Sequence, residues 1–441
     1  MVTKSSHSLA EVSEEAPPSD VVTQRVAQAS VFLTALRYTV AVPIPFGVLV
    51  GVACAPMWLA SLRRYRGAVL LAVMIVSSVI WGVILTYQQA PFNGGTDSRV
   101  MMTFSLLIIF TLVGFGTILW AREHLSERAI GIAVGLGMLA TNILNKSAIS
   151  SVNPWKFGIS LPLSVIILAY VAGSRRWQTT VIALLALGAV NVLFDSRSAF
   201  ATCVLAALLM LAQRWWGRAD ASTVRSRAIS LFLVAVTSAA VLYQVTSHLL
   251  MSGFLGEEAQ QRSIAQQELA GSMIVGGRPE MAATWALMQH RPAGFGSGAN
   301  ASTLDVMVAK AGMWKINYQP DNGYVERYMF GRGIELHSAI GDMWAYYGLV
   351  GLACGILIVI LIAHALFVRL ATGTASGLII FLSCTTLWNL LFGPLWETSR
   401  MLAVILGLIL LRRDITTSAR AIITKRIIRD KTSTSTSTST R

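Results

Sequence analysis

Three stretches of this chain carry residue types that could act together on a charged group. The first is Asp195-Ser196-Arg197-Ser198, at the start of an apolar run. The second is Gly276-Gly277-Arg278-Pro279, followed by Trp285 and by Pro292-Ala293-Gly294-Phe295-Gly296-Ser297-Gly298. The third is Arg332-Gly333-Ile334-Glu335-Leu336-His337, which continues through Ser338, Gly341, Asp342 and Trp344 to Gly348. Guanidinium groups bond phosphate oxygens in pairs and stay charged at every relevant pH. An imidazole titrates near neutrality and can accept a proton. Arginines with one histidine therefore suit the holding of a phosphate beside a possible base.

Of the six histidines, His7 lies in a polar tail, while His124 and His364 fall on the side read below as inward. His248, His290 and His337 fall on the other side. Among these, His337 stands at the start of a helical run beside Arg332 and Glu335, and a rigid element holds a base better than a loop does. The stretches read as outward contain no Asp-x-Asp or Glu-x-Asp pair. A divalent cation bound with phosphate usually needs such carboxylates. Phosphate chemistry here reads as metal-independent, with no cofactor.

Each feature also has a plainer reading. Arg197 is equally placed to anchor a helix end at lipid headgroups. Arg278 suits a loop ion pair, and the Pro-Gly run suits a simple turn cluster. His337 could be an ordinary polar residue at a helix start. Gly341, Gly348, Gly351 and Gly355 read most simply as a close-packing face for a neighbouring helix. Trp155, Trp177, Trp215 and Trp216 read as interface residues.

The elements that must position these residues follow from composition. The 441 residues are 54% hydrophobic and only 13% charged, with a mean hydropathy of +0.62. Soluble domains carry roughly 25% charged residues, so an ordinary soluble enzyme is excluded. A net charge of +14 would suggest nucleic acid in a soluble protein. Here the basic residues lie between apolar runs, which points to membrane topology and not to a nucleic-acid partner. Cys54, Cys203, Cys354 and Cys384 sit in apolar runs, without zinc-ligand or disulfide spacing.

Apolar runs predict spans over 31–62 (two short helices meeting at Pro43-Ile44-Pro45), 68–87, 100–120, 129–144, 157–172, 179–194, 198–212 and 228–247. After a long polar stretch come 339–368, 376–391 and 400–411. The expected fold is an all-α polytopic membrane protein of about twelve helices. Its parts are a disordered cytoplasmic tail over 1–28, nine membrane helices within 29–247, and a large loop with short helices over 248–338. Three more membrane helices follow within 339–412, then a basic low-complexity tail over 413–441. One set of short loops holds Arg63, Arg64, Arg66, Arg122, Arg128, Arg175, Arg176, Arg214, Arg218, Arg225, Arg227, Arg369, Arg412 and Arg413; these loops are predicted to be cytoplasmic. The long loop then faces outward.

In order, spacing and outward placement, these stretches resemble the O-antigen ligase and polymerase superfamily of bacterial envelope glycosyltransferases. The resemblance is carried by Asp195-Ser-Arg197-Ser and by Gly277-Arg278 with Trp285 and Pro292-Ala-Gly294-Phe-Gly296. It continues in His337-Ser-Ala-Ile-Gly341-Asp-Met-Trp344 and Tyr347-Gly348-Leu-Val-Gly351. It covers the second half of the chain; the first half matches in span count. Ser338 stands where many members have Asn.

The resemblance implies a GT-C-like fold in the bacterial inner membrane, with a large periplasmic loop and the active site at the outer edge. It implies a glycan donor on undecaprenyl pyrophosphate and a lipid A–core acceptor. His337 corresponds to the essential histidine, and Arg197 and Arg278 to the pyrophosphate-binding arginines. Arg332 is a third candidate for the pyrophosphate, and Asp195, Glu335 and Gly341 are supporting residues. In the expected reaction His337 takes a proton from the acceptor hydroxyl, which attacks the anomeric carbon with inversion. The arginines stabilise the charge growing on the leaving pyrophosphate. The compact chain, with one main outward loop, favours a ligase over a polymerase or a protein O-oligosaccharyltransferase. A transporter would show two related halves with broken helices, and no such repeat is visible.

Overall fold

The structure is a computed structural model that describes residues 20–37, 44–146, 150–173, 176–220, 222–253, 257–271, 273–331 and 333–413. Arg332, Arg175, Pro43 and the tails over 1–19 and 414–441 lie outside the described residues. The described chain is all-α, 78% helical and without a strand. The first helices are α1 (Val21–Ala35), α2 (Phe46–Ala53), α3 (Ala55–Leu62), α4 (Ala68–Gln88), α5 (Ser98–Ala121) and α6 (Glu127–Asn145). Next come α7 (Ser160–Ala172), α8 (Trp177–Leu193), α9 (Arg197–Trp216) and α10 (Val224–Met251). The long polar stretch forms α11 (Glu257–Ala270), α12 (Met273–Gly276), α13 (Glu280–His290) and α14 (Thr303–Trp314). The chain closes with α15 (Ala339–Thr372), α16 (Gly377–Phe392) and α17 (Leu395–Ile409).

Among the described residues seven helices are long and apolar enough to cross a membrane: α4, α5, α6, α7 with the turn before it, α9, α10 and α15. The surface agrees with that reading. On α10, Phe232, Leu233, Val236, Val241 and Val245 are all exposed. A soluble protein rarely leaves so continuous an apolar face to water. Apolar helices that turn such faces outward are built for lipid.

Two boundaries differ from expectation. Helix α1 begins at Val21, inside the stretch expected to be a tail, because Ala27, Ser30 and Val31 already bury against the bundle. Helix α17 begins at Leu395, so Arg400 lies more than a turn inside it and not at its end. The reason is a capping contact: the Leu395 N–H donates to Asp342 Oδ2 (2.7 Å), which starts the helix early.

The arginines of the predicted inward loops gather at one end of the bundle. Arg122 donates to the carbonyls of Gly407 and Leu410, and Arg369 to Ile409 and Leu408, closing the C-terminal end of α17. The Arg66 N–H donates to the Leu411 carbonyl and the Arg413 N–H to that of Arg64. At the other end of α4 and α5, the Gly94 and Asp97 N–H groups donate to the Asn300 and Gly298 carbonyls, which fastens the long loop there. Arg291 and Asp305 pin the same loop. Their buried ion pair has Nε 2.8 Å from Oδ1, and Arg291 also donates to Asn93 Oδ1 (2.7 Å).

Helix α15 is not straight. It breaks at Gly348 (φ 61°, ψ −150°), a backbone state essentially restricted to glycine. Its first arm, 339–347, folds back on its second, 349–372. A Cβ on Gly355 would stand 3.4 Å from the Ile340 side chain, and one on Gly351 would stand 2.1 Å from the Met343 carbonyl oxygen. In a straight helix residues 340 and 355 would be about 22 Å apart. Gly351 and Gly355 therefore serve packing of this helix against itself; the expected neighbouring helix is not their partner.

The Pro-Gly run also exceeds a plain turn cluster. Phe295 and Gly296 donate their N–H groups to the Ala345 carbonyl (2.8 and 3.1 Å), and Trp344 Nε1 donates to the Pro292 carbonyl (3.1 Å). Ser297 N–H donates to the Gly82 carbonyl on α4. The run is a strap between α4 and the bend of α15. Gly296 (φ 105°) abuts Thr86, leaving no room for a side chain.

Candidate active site at the mouth of the bundle

His337 occupies the left-handed region (φ 53°), uncommon outside glycine. Its neighbours hold it there. Asp342, buried in the first arm of α15, accepts from the Leu336 N–H with Oδ1 and from the Leu395 N–H with Oδ2, both at 2.7 Å. Ser338 caps the arm by accepting from the Gly341 N–H (3.2 Å) and donates to the Leu390 carbonyl (3.2 Å). Tyr346 accepts from the Ile334 N–H (2.8 Å). The run 333–338 is thus tied to α15, α16 and α17 at once. His337 Nδ1 lies 3.4 Å from the Glu335 carbonyl oxygen. A proton assigned to Nδ1 on that geometry leaves Nε2 as the basic nitrogen.

Tyr324, just before a short π-helical turn over Val325–Met329, faces His337, with ring centroids 6.4 Å apart. Its hydroxyl donates to Glu280 Oε1. Glu280 is the first residue of α13, buried, and its second oxygen has no hydrogen-bond partner among the described residues. Burial chiefly, then the Glu280 carboxylate, pushes the Tyr324 hydroxyl above its usual range, and the Arg278 charge opposes this. The phenol therefore keeps its proton and remains a donor. Glu280, Tyr324 and His337 form one group where the start of α13, the loop before 325 and the run 333–338 converge, and Arg278 stands two residues before Glu280 in the turn that opens α13. Tyr328 continues the aromatic surface, its ring 5.4 Å from that of Tyr324.

Arg197 is the first residue of α9. Its Nε lies 3.2 Å from Asp195 Oδ1, and a guanidinium nitrogen lies 3.4 Å from the Ser263 hydroxyl on α11. Helix α11 packs along α12, where Gly276 abuts the Gln266 carbonyl, and Arg278 follows directly. Arg197 and Arg278 thus belong to one loop assembly, while the contacts of Arg197 are to Asp195 and Ser263 and not to His337. Asp195, itself left-handed (φ 51°), orients Arg197. Glu335 is half-buried and its N–H donates to the Met329 carbonyl. Gly341 packs close to Thr284 of α13. Trp285 is 65% exposed.

Glu280, Tyr324 and Asp342 are the residues that sequence reasoning missed as site members. Glu280 carried a signal, since it directly follows Arg278-Pro279. An acidic residue in a first helical turn is ordinary, however, because it complements the helix dipole. Tyr324 belongs to no motif. No protein-family model, no curated protein and no solved structure matches the chain.

Proposed function

We propose that this chain is an inverting, metal-independent glycosyltransferase of the bacterial inner membrane. It moves a glycan from undecaprenyl pyrophosphate to lipid A–core oligosaccharide on the periplasmic face, in the manner of an O-antigen ligase. The observation that carries this reading is the meeting of His337 with Tyr324 and Glu280, two residues along the chain from Arg278, at the end of the bundle opposite the arginine-rich loops. In the reading, Nε2 of His337 takes the acceptor hydroxyl proton. The oxygen attacks the anomeric carbon, and the bond to the pyrophosphate breaks on the opposite face. Arg278 neutralises the charge that develops on the departing diphosphate, and Arg197 and Arg332 are the further candidates for holding it.

The fold assigned with this function is GT-C-like with twelve crossings. Beyond the seven long helices, it counts α1, the α2–α3 pair, α8, α16 and α17. The pair is interrupted only at Cys54, and α8 and α16 are apolar helices of 17 and 16 residues.

The test is transfer in proteoliposomes. Wild-type protein receives undecaprenyl-pyrophosphate glycan with lipid A–core, free glycan or peptide as acceptor. A glycosylated lipid A–core supports the ligase, an extended glycan indicates a polymerase, and a modified peptide an oligosaccharyltransferase. Passage of donor across the bilayer without any covalent product would make the chain a transporter.

A further inference from the structure

Arg37 and Arg400 share a narrow cleft between α1, α5, α6 and α17, lined also by Thr34, Phe110, Val134 and Val404. One Arg37 nitrogen donates to the Ser399 hydroxyl (2.9 Å), and the Arg37 backbone N–H donates to Thr141 Oγ1 (3.1 Å). Arg400 stands near enough for the two guanidinium charges to repel. No carboxylate among the described residues lines the cleft, and Arg400 makes no hydrogen bond among them. The Thr34 hydroxyl oxygen is buried without a hydrogen-bond partner among the described residues.

The depth of the cleft follows from α17. Ser399 and Arg400 are about 6–8 Å along the helix from Leu395, and Leu395 is bonded to Asp342 beside His337. The cleft therefore lies just below the His337 end of the bundle.

Two like charges among apolar walls are unfavourable unless an anion lies between them. Snorkelling to water is the usual escape for such side chains, but these two point into a shared cleft. A tetrahedral phosphate fits the donors: each guanidinium can bond two of its oxygens, and the Thr34 hydroxyl can bond a third. Charged side chains at membrane depth generally mark a ligand or a path. We propose that Arg37, Arg400 and Thr34 form a second anion site that takes a phosphate group, separate from the His337 group. The inference does not depend on the transfer reaction proposed above.

The experiment follows thermal unfolding of the purified full-length protein in an uncharged detergent, for wild type and for Arg37→Gln/Arg400→Gln. Three additives are titrated: phosphatidylglycerol, diacylglycerol as the phosphate-free lipid, and inorganic pyrophosphate. The wild type is expected to be stabilised by phosphatidylglycerol at a concentration at least about tenfold lower than the variant requires, with diacylglycerol acting equally on both. Selective stabilisation by pyrophosphate instead supports the site and names a soluble phosphate as its source. Equal stabilisation of both proteins, or none of the wild type by either phosphate compound, overturns the proposal. Should the double variant not fold, Arg400→Gln alone carries the same comparison, since it gives up no hydrogen bond among the described residues.

Discussion

The ring of Tyr324 lies 6.4 Å from the imidazole of His337, tilted 35° to it. The Tyr324 hydroxyl simultaneously donates to the buried carboxylate of Glu280. One aromatic side chain therefore links the residue best suited to accept a proton with the turn that carries Arg278.

His337→Asn should abolish the proposed transfer. A positioned general base contributes about 10²–10⁴-fold, so a loss in that range is expected. Asn is the informative replacement, because it tolerates the left-handed backbone that His337 adopts. The thermal midpoint should stay near that of the wild type. Near-normal transfer in the proteoliposome assay would remove His337 from the reaction.

Tyr324→Phe should destabilise the loop assembly by about 1–3 kcal/mol, because the Glu280 carboxylate would lose its one donor among the described residues while staying buried. Denaturant unfolding measures this. The Tyr324 hydroxyl is held above its unfolded value, which is about 10. Its stabilisation is thus complete below that pH and lost as pH rises toward the folded value. Alkaline unfolding of Tyr324→Phe should accordingly be shallower than that of the wild type.

Asp342→Asn should lower the turnover number with little change in donor KM. The amide would present a nitrogen to one of the two backbone N–H groups that Asp342 now accepts, from Leu336 and Leu395. One contact is lost, at about 1–3 kcal/mol, and the run bearing His337 loosens. A changed KM with an unchanged turnover number would show that Asp342 serves substrate binding instead.

Gly348→Ala should destabilise the protein by at least about 1–3 kcal/mol, the strain of a side chain in this backbone region. The new Cβ would also stand 2.6 Å from the Ala293 carbonyl oxygen, pressing on the strap. Gly351→Ala would meet the Met343 carbonyl at 2.1 Å, so it should be similarly harmful despite an ordinary helical backbone. Thermal midpoints of both variants check this.

Acidification should weaken the contact between α14 and the π-helical turn. Lys310 holds Asp321 Oδ1 (3.1 Å) and Glu326 Oε1 (2.6 Å), and its hydrogen bond keeps the Glu326 carboxyl below the ordinary range. A carboxylate with a lowered folded value stabilises above its unfolded value, about 4.3, and loses that contribution as pH falls through the folded one. The protection factors of the amides of residues 325–329, taken against their intrinsic exchange rates at each pH, should therefore fall in acid, and less so in Lys310→Met.

Periodicity and charge placement determined much of this protein by themselves. The apolar runs behind α4, α5 and α10 mark those helices, because a membrane helix must satisfy its backbone within its own segment. The arginine-rich turns mark one end of the bundle for the same local reason. Local signals also singled out His337, Arg197 and Arg278. Only the tertiary structure decided that Glu280 meets Tyr324, since 44 residues separate them and no motif couples them. It alone decided that Asp342 bridges Leu336 to Leu395, and that α15 bends at Gly348 to fold on itself. A glycine reads alike in a packing face and in a left-handed break; the difference lies in the strap pressed against it, and that contact exists only once the chain has folded.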